Sequence, residues 1–172
     1  PEKSKKGIYQ IDDHFLRFWF RYVHPNQSGL DLGLADAILR QRIQPDLDNC
    51  MAIAFEEAAR VVVAYLSKAG KFDVLPERIG SWWGRDAESD VLAISPTEGA
   101  ALVGECKWSI NPVGINILAD LKQKAQILAS DYGLQKIQYI LFSRSGYTPA
   151  LAELAEAEGI RLFTVDALVN PA

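Results

Sequence analysis

The turn Ser95-Pro96-Thr97-Glu98-Gly99 separates two runs with strand character, Glu88 to Ile94 and Ala100 to Trp108. That arrangement constrains the chain more than any other, because two such runs joined by turn residues fold back as a β-hairpin. Centring the turn between Thr97 and Glu98 opposes Asp90 to Glu105 and Glu88 to Lys107. Strand side chains alternate between faces, so these four share one face while Cys106 points to the other. Opposed Cβ atoms lie about 5 Å apart. Two carboxylates and an ammonium therefore converge.

The elements around the hairpin predict a mixed α/β sheet. Upstream, Phe15, Phe18, Trp19 and Tyr22 recur at helical spacing behind the candidate caps Asp12 and Asp13, predicting an aromatic helix over 12–23 that stops near His24-Pro25. Its apolar surface is too wide for a single core face, so it is either deeply buried or covered by a partner. Turn residues punctuate 26–45, where the loosest boundary is expected. Met51, Phe55, Ala58, Val62 and Tyr65 then space out a long core helix that Gly70 ends. A mixed strand-like run over 72–83 precedes the hairpin. Downstream come a helix over 115–130, a strand over 136–143, a helix from Thr148-Pro149 to Glu158, and a last strand over 160–165. Strands joined through helices favour parallel pairing, so the sheet starts antiparallel and ends parallel.

With 172 residues, 49% of them hydrophobic, the chain suits one domain plus a helical appendage: 1–45 as appendage and linker, 46–172 as the sheet domain. No apolar run approaches the roughly 20 residues of a bilayer span, and the N-terminus has no secretory segment, so a cytoplasmic protein without membrane contact is expected. Cys50 and Cys106 form no metal-binding spacing with each other or with His14 and His24. The net charge of −4 argues against holding nucleic acid by bulk electrostatics. Any such contact must be local, metal-assisted or shared with a partner.

A pair of carboxylates beside a lysine suits hydrated Mg²⁺ or Mn²⁺, which accepts one or two carboxylates, retains waters and binds substrate phosphates. Lys107 would then orient or deprotonate an attacking water, or offset charge as a phosphate becomes pentavalent. Glu56, on the preceding helix beside Ala52 and Ala59, is placed to add a carboxylate from above the sheet. Spacing alone is weak, since an acid two before a lysine arises by chance about once in a chain of this length. Asp120-Leu-Lys122 is such a decoy, in a helix where those side chains diverge. Strand context distinguishes Glu105-Cys106-Lys107.

These residues resemble the PD-(D/E)xK nuclease superfamily, with Asp90 as its aspartate and Glu105-Cys106-Lys107 as its E-x-K. The resemblance implies a restriction-endonuclease-like fold, a first-helix glutamate at Glu56, a backbone carbonyl ligand from Cys106, and metal-dependent hydrolysis of DNA or RNA. Residues 9–21, Ile79-Gly-Ser-Trp-Trp83, Glu88-Ser-Asp90 and Gly104-Glu-Cys-Lys-Trp108 are similar to the C-terminal domain of prokaryotic AAA-type (DEXX-box) ATPases. That implies an ATPase module in cis or in trans, although no G-x-x-x-x-G-K-[ST] occurs here. Oligomerisation is compatible with either arrangement. The same similarity allows a module that kept the nuclease fold without turnover.

Several other residues carry two readings. Arg78, Arg85, Lys122 and Lys124 are candidate phosphate contacts near the site, or solvated surface charges. Glu56 can pair with Arg60 one turn on, and Glu57 rivals it for a site role. Trp82, Trp83 and Trp108 suit base stacking or packing. The Cys106 thiol is expected to be buried and inert.

Overall fold

The computed structural model describes residues 11–84 and 87–169, which divide into two compact units meeting between Ala54 and Phe55. The break falls inside a helix rather than at the linker expected near residue 45.

In the first unit, Asp13 caps helix α1 (His14–Phe18) by accepting the Leu16 N–H at 2.8 Å. The helical path does not stop at Pro25. It widens into a π-type turn over Trp19–Val23, tightens over His24–Asn26 and continues as α2 (Gln27–Asp31). Pro25 lies in the first turn of the His24–Asn26 segment, where a proline's missing N–H costs no hydrogen bond. After Gly33, with φ +76°, come α3 (Ala35–Ile38) and a second π-type turn, Leu39–Ile43. Arg21 binds both carboxylate oxygens of Asp46, at 2.6 and 2.9 Å, and the buried Tyr22 hydroxyl lies 2.8 Å from Asp46 Oδ2. Phe15, Leu16 and Phe20 are exposed, so only part of the aromatic helix enters a core.

Helix α4 (Gln44–Lys68) runs longer than the sequence pattern suggested and begins around Pro45. Gly70, at φ +68°, ends it, with the Lys71 N–H returning to the Leu66 carbonyl. From Phe55 onward its buried stripe is Phe55, Ala59, Val62, Val63 and Leu66. The expected positions Met51, Ala58 and Tyr65 are exposed instead. The true stripe follows offsets of four, seven, eight and eleven from Phe55, the wider face that core helices use.

The second unit holds one five-stranded sheet in the order β1-β2-β3-β4-β5. The strands are β1 (Arg78–Trp83), β2 (Glu88–Ser95), β3 (Ala100–Lys107), β4 (Lys136–Ser143) and β5 (Arg161–Thr164). The first three pair antiparallel and the last three parallel, as the connections require. Helix α5 (Ile115–Tyr132) links β3 to β4, and α6 (Pro149–Glu158), capped by Thr148, links β4 to β5. A short α7 (Val165–Val169) that the sequence did not signal follows β5. Residues 72–77 of the mixed run are not strand; there Glu77 accepts from Ser95 and Thr97 across the hairpin turn.

The sheet is covered on both faces. Val91, Ala93, Leu102, Cys106, Ile140 and Phe142 pack on α4. Leu92, Ile94, Ala101, Val103 and Leu141 pack on α5 and α6. Among the described residues no helix is long and apolar enough to cross a membrane.

One glycine lets β3 pass between its neighbours just before the acidic cluster. A Cβ at Gly104 would lie 2.7 Å from Ile140 Cγ2 and 3.0 Å from Val91 Cβ, both in packed core. Gly104→Ala should therefore cost about 1–3 kcal/mol, the usual penalty of overpacking. A lowered Tm in thermal denaturation checks this, and an unchanged Tm would mean the strands have slack there.

Candidate functional site

The β2–β3 ladder runs in the expected register, from Ser95↔Ala100 at the turn to Val91↔Gly104, and stops there. The remainder of β2 stays with β1, where Ser89 pairs with Trp82 and Glu88 with Trp83. Side chains take over where the ladder ends. The Ser89 hydroxyl lies 2.9 Å from the Gly104 carbonyl, and the Asp90 carboxylate accepts the Cys106 N–H at 2.8 Å. Buried backbone groups need partners, and these two side chains supply them as the strands separate.

Alternation fixes the faces. Asp90 shares parity with Leu92, and Glu105 and Lys107 share parity with Val103, so all three project on the α5 side, while Cys106 packs on the α4 side. Glu88 lies beyond the end of the β2–β3 ladder, so the pairing expected between it and Lys107 is not part of the register.

Glu105 is buried, and its charge is met by two ammonium groups. Lys107 Nζ lies 2.8 Å from Oε1; Lys124 Nζ, reaching in from α5, lies 3.1 Å from Oε1 and 2.9 Å from Oε2. Both lysine side chains are only partly exposed, at 36% and 26%. Burial pulls the Lys107 pKa down, but the hydrogen bond and the charges of Glu105 and Asp90 outweigh it, and the net shift is upward. Lys107 is thus a firm cation here rather than a base.

Burial raises the Asp90 pKa; the Cys106 N–H opposes the rise and the Glu105 charge adds to it. Helix α4 covers the sheet face on which Cys106 packs, and Glu56, beside the buried Phe55, feels the charges of Asp90, Glu88 and Glu105. Arg60, one turn on, donates to the Asp90 carbonyl at 2.8 Å and fixes this part of α4 to β2. Burial pushes the Glu56 carboxyl up to about 7, the Asp90 charge adds to it, and Arg60 offsets part of the rise. The Cys106 thiol is buried, which raises its pKa strongly and leaves it inert.

The remaining candidates scatter. Arg78 pairs with Ile94, at the far end of β2 from Asp90. Lys122 binds Glu158 on α6 and lies near the Tyr139 ring. Arg85 falls outside the described residues. Trp82 is buried, Trp83 is exposed, and Trp108 packs on Phe55 beneath the Arg144 guanidinium. Of the three suggested phosphate contacts among the described residues, Lys124 alone reaches the cluster, and it does so through Glu105. Its helical spacing from Leu121, Ala125 and Leu128 placed it beside the buried stripe of α5, but nothing in the sequence tied it to β3.

A cavity of about 190 Å³ opens beside Lys107, lined by Ser109, Asn111, Val113, Gly114 and Asn116 among others. Among the described residues no group of three or more His, Cys, Asp or Glu side chains stands ready to hold a metal ion. The donors present are the hard carboxylate oxygens of Asp90 and Glu105, whose charges repel. One or two carboxylates with water completing the shell is a donor set that Mg²⁺ accepts and zinc disfavours.

Comparison with known proteins places these residues within a family. The sequence model of the DUF234 family, described as archaeal and bacterial proteins of unknown function, matches residues 19–124, more than half of the chain, and the chain belongs to that family. The matched span includes Glu56, Asp90, Glu105, Lys107 and Lys124. An uncharacterized protein of Methanocaldococcus jannaschii is 34% identical over 131 residues, covering 75% of this chain and 29% of that protein. The chain thus spans under a third of the length of this relative. A crystal structure of a repair endonuclease from Pyrococcus abyssi aligns at a TM-score of 0.40 and 18% identity, over 62% of this chain and 46% of the other. A likeness of that size carries no argument about activity.

Glu56 can be tested apart from any activity. A carboxyl whose pKa is raised on folding stabilises the fold below its unfolded pKa, and that contribution is lost as pH rises through the folded value. Between pH 4.5 and about 7, the Tm of the wild type should fall relative to that of Glu56→Gln. Parallel pH profiles for the two proteins would mean that Glu56 sits in water.

Proposed function

We propose that this member of the DUF234 family is a metal-dependent nuclease module that hydrolyses phosphodiester bonds in DNA. The observation that carries this reading is the emergence of the Asp90, Glu105 and Lys107 side chains on one sheet face, at the point where the β2–β3 ladder opens. Asp90 and Glu105 would hold Mg²⁺ or Mn²⁺, with the Cys106 carbonyl as a further donor. The ion, when bound, polarises the scissile phosphate and lowers the pKa of a water.

The chain's own residues supply the rest. Lys107, a cation, hydrogen-bonds a phosphate oxygen and offsets the charge that builds in the pentavalent state. Glu56, with a pKa near neutrality, accepts the proton of the attacking water, which is where a general base works best. The cavity beside Lys107 offers polar groups, Ser109, Asn111 and Asn116, to the flanking backbone. Local contacts of this kind suit a chain whose net charge is −4. In this reading the module works with an AAA-type ATPase, in cis or in trans, as the resemblance of its motifs implies, with RNA as the other substrate to test.

One observation favours a second reading, a binding or regulatory module without turnover: both Glu105 oxygens are already satisfied by lysines, as in an inert ion-pair cluster. Purified protein should cleave DNA only with Mg²⁺ or Mn²⁺, and Asp90→Ala and Lys107→Ala should each lower the rate by at least about 100-fold. Cleavage that survives both changes removes these residues from the mechanism. The absence of both cleavage and Mn²⁺ binding in the wild type leaves the binding module.

A further inference from the structure

We infer that Lys124 is a positioning residue that couples metal binding to substrate binding, by occupying Glu105 until a phosphate arrives to take its ammonium. The inference rests on the metal reading of the site but concerns a residue outside the Asp90, Glu105 and Lys107 set. Lys107 touches only Oε1 of Glu105, whereas Lys124 reaches both oxygens. Oε1 therefore carries two donors already and Oε2 one. A divalent cation that joins this carboxylate meets two like charges within hydrogen-bonding range of its own ligand, and Lys124 is the one that bears on either oxygen.

The side chain can leave. Lys124 sits on α5, its stem is flexible and it remains 26% exposed, so its ammonium has a route to solvent or to an anion. Glu105 cannot leave, because its side chain is only 8% exposed and its strand is paired with β4 through Glu105↔Leu141. A phosphodiester beside Lys107 supplies the negative charge that compensates the ammonium on its release. Metal alone must bind against Lys124, and metal with DNA need not. In the metal-free protein the same contact pairs the buried carboxylate and keeps it aimed.

Calorimetric Mn²⁺ titrations of wild type, Lys124→Gln and Lys124→Arg separate this role from a structural one. Glutamine keeps a donor for Glu105 but removes the charge, and arginine keeps both. Lys124→Gln should bind Mn²⁺ at least about fivefold more tightly than wild type, within the ordinary range of coupling between competing ligands. Its metal-free Tm should be lower, and Lys124→Arg should resemble wild type in both. A residue that only braces the fold would lower Tm and leave Mn²⁺ affinity unchanged, and that result, or weaker binding in Lys124→Gln, overturns the inference while the metal site stands. Absence of Mn²⁺ binding in both wild type and Lys124→Gln overturns the metal reading and this inference with it.

Discussion

The Asp90 carboxylate accepting the Cys106 N–H at 2.8 Å is the contact on which the site depends. It stands where a ladder hydrogen bond between β2 and β3 would otherwise be, and it lets the two strands separate without leaving a buried amide unsatisfied. With Ser89 beside the Gly104 carbonyl and Arg60 on the Asp90 carbonyl, each backbone group so described at the opening is met by a side chain. Glu56, on α4, feels the charges of Asp90 and Glu105.

Around that opening the charges are arranged in opposition. Three carboxyls, of Glu56, Asp90 and Glu105, are wholly or partly withdrawn from water; burial raises the pKa of the first two, and neighbouring acid charge adds to the rise. Glu105 alone has direct ammonium partners, Lys107 and Lys124. Buried charges persist only when paired and hydrogen-bonded. The cluster is held together by two lysines of different origin, one fixed by strand alternation beside Glu105 and one delivered by a helix from the opposite wall. A cation would relieve the repulsion between Asp90 and Glu105 directly.

The hairpin was legible because strand alternation and a well-marked turn determine parity locally: once Ser95 to Gly99 turns, Asp90 and Glu105 can only share a face. The parallel half of the sheet was legible for a similar reason, since Thr148-Pro149 and Gly159 mark the ends of α6 without ambiguity. Long-range contacts were not. Lys124 meets Glu105 because α5 lies along β3, and no sequence spacing encodes that distance. The buried stripe of α4 was misplaced because Met51, Ala58 and Tyr65 are apolar yet exposed, and hydrophobicity alone does not say which of two overlapping stripes meets a sheet. The continuation of helix through Pro25 was missed because proline ends a helix only when an interior N–H is needed.

The central claim, that Asp90 and Glu105 jointly grip a divalent cation at the opening of the hairpin, is tested most directly by anomalous diffraction from crystals soaked in Mn²⁺. The account predicts a peak about 2 Å from a carboxylate oxygen of each residue, with Lys124 withdrawn from at least one oxygen of Glu105. A protein saturated with Mn²⁺ elsewhere, with Glu105 still bound by both lysines and no peak between the two acids, would contradict it.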